Sequence, residues 1–139
     1  MKKNHIVMIL IGLCLIIGQA VSASSHHIRA NSISIEQQAK PVWVELRLPS
    51  QGSSQSSNLK LQHLLLTLHW QHPAQLSATL CDARRKQCRQ ASPDGHLAGS
   101  FFTDQSIYDP LWLKLEVKSW QGGYPPAHVR VELALWSQP

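Results

Sequence analysis

Apolar and polar residues alternate with a period of two along most of the chain after Pro41, which is the pattern of strands with one buried face. The clearest example is LWLKLEVK, residues 111–118. The residues predicted to face a core are Val42, Val44, Leu46, Leu48, Leu76, Ala78, Leu80, Leu97, Gly99, Phe101, Leu111, Leu113, Leu115, Val117, Val129, Val131, Leu133 and Leu135. The pattern therefore predicts a sheet structure with little or no helix.

One segment departs from strict alternation. Residues 59–70 alternate, but three consecutive leucines at 64–66 break the period. A β-bulge or a strand buried on both faces would explain the break. A helix is the competing interpretation, because leucine favours helices; Pro73 and the neighbouring strands favour β.

Turn-forming residues separate the predicted strands. The segments 92–95 (SPDG), 122–123 (GG) and 125–126 (PP) are turn signals, and the serine-rich stretch 49–58 predicts a loop outside the core. About seven short strands result, so the predicted fold is an all-β antiparallel β-sandwich, with an immunoglobulin-like topology as one option. Residues 41–139 are predicted to form one domain. Residues 24–40 are polar, and they predict either a loose arm or a short edge strand.

The N-terminus has the features of a secretory signal. Two lysines precede an apolar run of thirteen residues, 6–18, and small residues follow at 21–23. The run is too short to span a membrane, so we expect cleavage after Ala23, export to the periplasm and no membrane span in the mature chain. Cys14 lies inside the run and follows a leucine, which does not fit a lipoprotein signal. It is expected to leave with the signal.

Two cysteines then remain, Cys81 and Cys88, in the stretch CDARRKQC. Zinc knuckles space their ligands more closely and need a second pair, while the thioredoxin-type motif has only two intervening residues. An even number of cysteines in an exported chain favours a disulfide. Closing so short a loop would contribute about 2.5 kcal/mol to the free energy of unfolding.

The positive charge of the predicted mature chain is concentrated in this loop. The mature chain has eleven lysines and arginines against eight carboxylates, and outside residues 82–89 the numbers are equal. Arg84, Arg85 and Lys86 are therefore candidate partner-binding residues that would attract an acidic partner. The alternative is a solvated hairpin tip that discourages aggregation.

Three tryptophans fall on the outward face of their own strands: Trp43, Trp112 and Trp136. An exposed aromatic row would bind a protein partner or sugar rings. The alternative is that loops cover these side chains and make them part of the core.

No motif in the chain predicts catalysis. No serine lies in a Gly-x-Ser-x-Gly elbow, the histidines are scattered and the carboxylates are dispersed. We therefore expect neither enzyme activity nor a metal, a cofactor or a nucleic-acid partner.

The order of several short motifs resembles the FlhE family of exported flagellar proteins. These motifs are Leu68-His69-Trp70, Leu76, the Leu80-Cys81 to Cys88 loop, Asp94-Gly95, Gly99-Ser100-Phe101, Pro110-Leu111, Glu116-Val117, and Gly122-Gly123 with Pro125 before the last strand. The resemblance covers roughly residues 66–136. It implies a periplasmic accessory protein of flagellar assembly or export that binds a rod or export-apparatus protein in a chaperone- or regulator-like role.

Two other functions fit the residues themselves. The outward tryptophans would also suit a periplasmic carbohydrate- or peptidoglycan-binding module. A secreted hydrolase with an unfamiliar site is the third option.

Overall fold

The computed structural model describes residues 24–49, 59–71 and 73–138, so the predicted signal segment and most of the serine-rich loop lie outside the described residues. The described ranges form eight strands and no helix. The strands are β1 (Ser24–Ile35), β2 (Val42–Leu46), β3 (Lys60–Trp70), β4 (Gln75–Cys81), β5 (Cys88–Gln90), β6 (His96–Gly99), β7 (Leu111–Ser119) and β8 (Ala127–Gln138). Within these ranges no helix has the length and apolarity needed to cross a membrane.

The strands form two antiparallel sheets of four strands each. Sheet A has the order β1-β8-β3-β6, and sheet B has the order β2-β7-β4-β5. This arrangement confirms the predicted all-β antiparallel sandwich. Only β4 and β5 are neighbours both in sequence and in a sheet. The strand order therefore differs from that of an immunoglobulin constant domain, where three such pairs occur.

The core lies between the inward faces of the two sheets. In the central strands β7 and β8, every second side chain from Leu111 to Val117 and from Ala127 to Leu135 is buried. All of the inward positions predicted for β4, β7 and β8 are buried, which confirms the alternation there. Val42, Val44, Leu97 and Phe101 are half-buried and pack against the same core, because they lie on the edge strands or just after them.

The break at the three leucines has its origin two residues earlier. The pairing of β3 with β8 shifts register between Leu61 and His63, and Leu61 is buried before the shift. After it, Leu64 and Leu66 are buried while Leu65 is 38% exposed. Before the bulge the odd-numbered Leu61 faces the core, and after it the even-numbered residues Leu64 and Leu66 do. The bulge explains the pattern without a strand buried on both faces.

The polar N-terminal segment is an edge strand of twelve residues. β1 pairs with β8 from Ser24–Ser137 to Ile35–Ala127, and the register shifts between Ala30 and Ile33. Ser32, inside this shift, has a φ of 61°. The pairing excludes a loose arm for residues 24–35, and the strand is much longer than the short edge strand that the composition suggested.

Two motifs of the family resemblance meet at the turn before β6. Gly95 has a φ of 88°, and a Cβ atom at this position would lie 2.8 Å from Cζ3 of Trp70. The backbone N–H of Leu68 donates a hydrogen bond of 2.8 Å to the carbonyl oxygen of Gly95. The Leu-x-Trp motif therefore requires the glycine of Asp94-Gly95, since any side chain there would collide with the indole ring.

Candidate functional site

Trp43 and Trp112 lie next to each other on the outer face of sheet B. Trp43 on β2 is opposite Lys114 on β7, and Trp112 on β7 is opposite Glu45 on β2. The two indoles are thus diagonal neighbours, a separation within reach of aromatic side chains. Trp43 is 39% exposed, whereas Trp112 is half-buried.

The disulfide closes the adjoining hairpin between β4 and β5. Cys81 and Cys88 face each other across the two strands and are bonded, with an S–S distance of 2.02 Å. This confirms the predicted disulfide. Cys81 is also opposite Trp112, so the loop begins beside the tryptophan pair. The amide oxygen of Gln105 accepts a 3.1 Å hydrogen bond from the N–H of Ala83 and holds the loop against the rest of the domain.

Asp82 organises the interior of the loop. Its Oδ1 atom accepts hydrogen bonds from the backbone N–H groups of Lys86 at 2.8 Å and Gln87 at 3.3 Å. The N–H of Asp82 donates to the carbonyl oxygen of Gln87, and the N–H of Arg85 donates to the carbonyl oxygen of Asp82. A short acidic side chain suits this role because it can accept from nearby backbone groups. The loop is therefore an ordered turn.

Arg85 folds back from the loop onto the tryptophans. Its guanidinium carbon lies 4.0 Å from the ring centroid of Trp112 and 4.5 Å from that of Trp43. A second cation, the Nζ atom of Lys114, lies 5.9 Å from the Trp43 ring. These distances are typical of cation–π contacts. The backbone of Arg85 has a φ of 57° within the turn that the hydrogen bonds of Asp82 define.

The three basic residues of the loop are thus not equivalent. All three are exposed, and none of them takes part in the salt bridges found among the described residues. Arg85 differs because its guanidinium contacts the rings of Trp43 and Trp112. The alternative of a purely solvated hairpin tip does not describe Arg85, because its guanidinium contacts two indole rings. Its planar guanidinium can stack on the two indole faces, which an ammonium group does less well.

Carboxylates near the tryptophan pair are already engaged. Glu45 forms a 2.9 Å ion pair with Arg47, and Glu116 forms a 3.2 Å pair with Lys118. Asp82 accepts hydrogen bonds from the loop backbone. The surface formed by Trp43, Trp112, Arg84, Arg85, Lys86 and Lys114, which we call the tryptophan–arginine surface, is therefore aromatic and positively charged.

Trp136 lies apart from this surface. It is on β8 in sheet A, and its ring makes an edge contact with His63 at a centroid distance of 5.5 Å. The three candidate tryptophans therefore do not form one row, because β2 and β7 belong to one sheet and β8 to the other. Trp136 is half-buried.

Sequence reasoning missed three residues that shape the surface: Lys114, Asp82 and Gln105. A signal existed for Asp82, since an aspartate at the start of a tight loop commonly accepts backbone hydrogen bonds. No local signal existed for Gln105, which reaches the loop from 22 residues away.

Among the described residues, no group of three or more His, Cys, Asp or Glu side chains is arranged to hold a metal ion.

Comparison with known proteins gives one informative result. No protein-family model matches the chain, and no curated protein matches it by sequence. The crystal structure of FlhE matches with a TM-score of 0.59 over 83% of this chain and 96% of that chain, at 14% sequence identity. This chain has the FlhE fold. The resemblance inferred from the order of short motifs is thereby confirmed in three dimensions, and at this identity the similarity to FlhE is one of fold.

Proposed function

We propose that the chain is a periplasmic accessory protein of flagellar assembly or export, and that it acts by binding a protein partner without catalysis. The observation that carries this proposal is the fold shared with FlhE over nearly the whole of that chain. The order of the motifs from Leu68 to Pro125 supports it independently, because the motifs were identified from the sequence alone.

The periplasmic location rests on two features. The first 23 residues have the lysines, apolar run and small residues of a cleaved secretory signal. The disulfide between Cys81 and Cys88 requires an oxidising compartment to persist. Both features are consistent with the bacterial periplasm.

The partner-binding role is assigned to the tryptophan–arginine surface. Tryptophan and arginine are the residues most enriched at the energetic centres of protein interfaces. Trp43 offers an accessible indole beside Arg85 and Lys114, which take part in none of the salt bridges found among the described residues. An acidic surface of a flagellar rod or export-apparatus protein has the complementary charge, and Arg84 and Lys86 at the rim would accelerate its association.

The glycan-binding alternative is less well supported. Sugar rings stack on the open faces of aromatic side chains, but the guanidinium of Arg85 already occupies one face of Trp43 and one face of Trp112. Binding to peptidoglycan fragments would favour this alternative, so those fragments form the second arm of the test.

The test uses a strain from which the gene has been deleted. Loss or mislocalisation of flagella that is restored by the wild-type gene supports the proposal. The purified protein should also bind isolated rod or export-apparatus proteins and not peptidoglycan fragments. Normal flagella in the deletion strain, together with binding to glycan alone, would contradict the proposal.

A further inference from the structure

Five histidines lie on the outer face of sheet A. They come from all four strands and occupy positions out of phase with the buried residues: His27 on β1, His63 and His69 on β3, His96 on β6 and His128 on β8. The register places them in neighbouring rows, with His27 opposite Ala134, His63 opposite Trp136, and His69 opposite Arg130. We call this set the histidine face.

Few carboxylates share this face. Arg29 on β1 and Arg130 on β8 point the same way as the histidines, and Glu132 lies between Arg29 and Thr67 on the adjoining strands. The Nε2 atom of His69 is 3.7 Å from Oε2 of Glu132. Lys60 on β3 also faces outward, so one lysine and two arginines oppose one glutamate among the described residues of this face, and protonation of the histidines adds to this positive charge.

Two of the histidines, His128 and His96, have further polar neighbours. The Nδ1 atom of His128 is 3.1 Å from the hydroxyl of Ser34 on β1. His96 lies near Asp94 in the preceding turn. The pKa of Asp94 is lowered, first by a hydrogen bond from the hydroxyl of Ser92 and also by His96, against the opposing effect of desolvation. Asp94 is fully exposed and remains a carboxylate through the range in which imidazoles titrate.

The face also has a concave end. An open cleft of about 760 Å³ is lined by Ser32, His69, Trp70, His128 and Arg130, among others. It lies where the register of β1 shifts between Ala30 and Ile33. Imidazole, guanidinium and hydroxyl groups can donate hydrogen bonds to a carboxylate, and the neighbouring indole can contact the apolar stem that carries it. Near the middle of the same face, Leu65 is 38% exposed.

We propose that the histidine face is a second interaction surface, that it binds an acidic segment of a protein partner, and that its affinity rises as the pH falls. Charge complementarity supports an acidic occupant. The cleft supports a protein segment in preference to a bilayer, because a side chain fills a cleft and a flat headgroup layer does not. This surface is on the sheet opposite the tryptophan–arginine surface, so the two interactions are independent.

The direction of the pH dependence follows from the different pH ranges in which histidine and aspartate side chains gain protons. Histidine side chains typically gain a proton between about pH 8 and 5, whereas aspartate stays ionised down to about pH 4. Each imidazole that gains a proton adds one positive charge to the face, while the partner keeps its negative charges. Surface ion pairs are individually weak, so several of them together predict an affinity increase on the order of ten-fold.

The test measures binding of fluorescently labelled poly-L-aspartate by anisotropy at roughly pH 7.5 and pH 5.5, at constant ionic strength. The wild-type protein should bind on the order of ten-fold more tightly at the lower pH. The triple variant His27→Asn, His69→Asn, His128→Asn should lose most of this difference. If the triple variant folds poorly, the single variant His69→Gln replaces it. This variant should also reduce the difference in affinity between the two pH values, by a smaller amount.

The chain offers two matched controls. His26 is opposite Leu135, so it points away from the histidine face, and its ring is 6.5 Å from that of Tyr108. His26→Asn should keep the pH dependence. Arg84→Ser with Lys86→Ser should leave the ratio of the affinities at the two pH values unchanged, because these charges belong to the other sheet and do not titrate in this range.

Four results would overturn the proposal. The first is full pH dependence in the triple variant, and the second is loss of the pH dependence in His26→Asn. The third is loss of the pH dependence in the loop variant. The fourth is binding to vesicles containing phosphatidylglycerol at low pH without binding to poly-L-aspartate, which would mean that the face recognises a membrane.

Discussion

Arg85 and Trp112 are in cation–π contact, with the guanidinium carbon 4.0 Å from the centroid of the indole ring. The two residues are 27 positions apart in the chain, and the contact joins the disulfide loop to a central strand of sheet B. Two constraints produce it: the Cys81–Cys88 bond sets where the loop begins and ends, and the hydrogen bonds of Asp82 set its turn. The contact makes Arg85 part of the fold as well as of the candidate interface.

Arg85→Ala should lower the free energy of unfolding by about 1 kcal/mol, because the substitution removes cation–π contacts with two rings. Alanine retains the Cβ atom, so the cost of the positive φ stays in place. Lys86→Ala is the control and should change stability by less than about 0.5 kcal/mol. Denaturant titrations followed by tryptophan fluorescence measure both. Equal effects of the two substitutions would show that Arg85 is not packed.

Removing the disulfide should loosen the loop and release Arg85 from the tryptophans. We expect the double variant Cys81→Ser, Cys88→Ser to be less stable by about 2.5 kcal/mol, as the chain-entropy model gives for so short a loop. Reduction of the wild-type protein should cause a similar loss of stability and a change in tryptophan emission. The double variant itself should not respond to reductant. An unchanged midpoint after reduction would contradict this prediction.

Gly95→Ala should be far more destabilising than Gly122→Ala. Both glycines have a φ above 80°, so each substitution carries a backbone cost of about 1 kcal/mol. At Gly95 the new Cβ would also meet the Trp70 ring at 2.8 Å, while at Gly122 no atom lies within 4 Å. Overpacking adds about 1–3 kcal/mol. Thermal melts of the two variants compare them directly, and similar melting temperatures would refute the Trp70 contact.

Two neighbouring leucines test the bulge in β3. Leu66 is fully buried and Leu65 is 38% exposed. Leu66→Ala should therefore cost about 2–5 kcal/mol, and Leu65→Ala less than about 1 kcal/mol. If the order of the two effects were reversed, the register of β3 on β8 would be shifted by one residue.

The sequence predicts the central strands well and the edges poorly. In β7 and β8 one face is buried without interruption, so the alternation from Leu111 to Val117 and from Val129 to Leu135 is unambiguous. The sequence does not distinguish a strand from a loose arm for residues 24–35, because the apolar positions Ile28, Ile33 and Ile35 are spaced unevenly across the register shift. Alternation within a strand cannot reveal a bulge that only the pairing with β8 defines.

The candidate surfaces also depend on strand pairing that local sequence patterns do not reveal. The cysteine pair and the outward direction of Trp43 and Trp112 follow from local patterns, and the structure agrees with them. The meeting of Arg85 with both tryptophans depends on how β2 pairs with β7, which is a long-range relationship. The separation of Trp136 depends on which sheet β8 joins. Neither the contact of Arg85 with both tryptophans nor the separation of Trp136 from them can be obtained from spacing along the chain.

The most direct test of the proposed function is the swimming motility of cells in which the chromosomal gene carries Trp43→Ala. Trp43 is the more accessible indole of the tryptophan–arginine surface and lies on the edge strand β2, so its loss should remove partner binding with little effect on the core. Tyr124→Ala, at an 82% exposed aromatic residue, is the matched control. The account predicts reduced swimming for Trp43→Ala, at wild-type protein levels, and normal swimming for Tyr124→Ala. Wild-type swimming of the Trp43→Ala strain would contradict it.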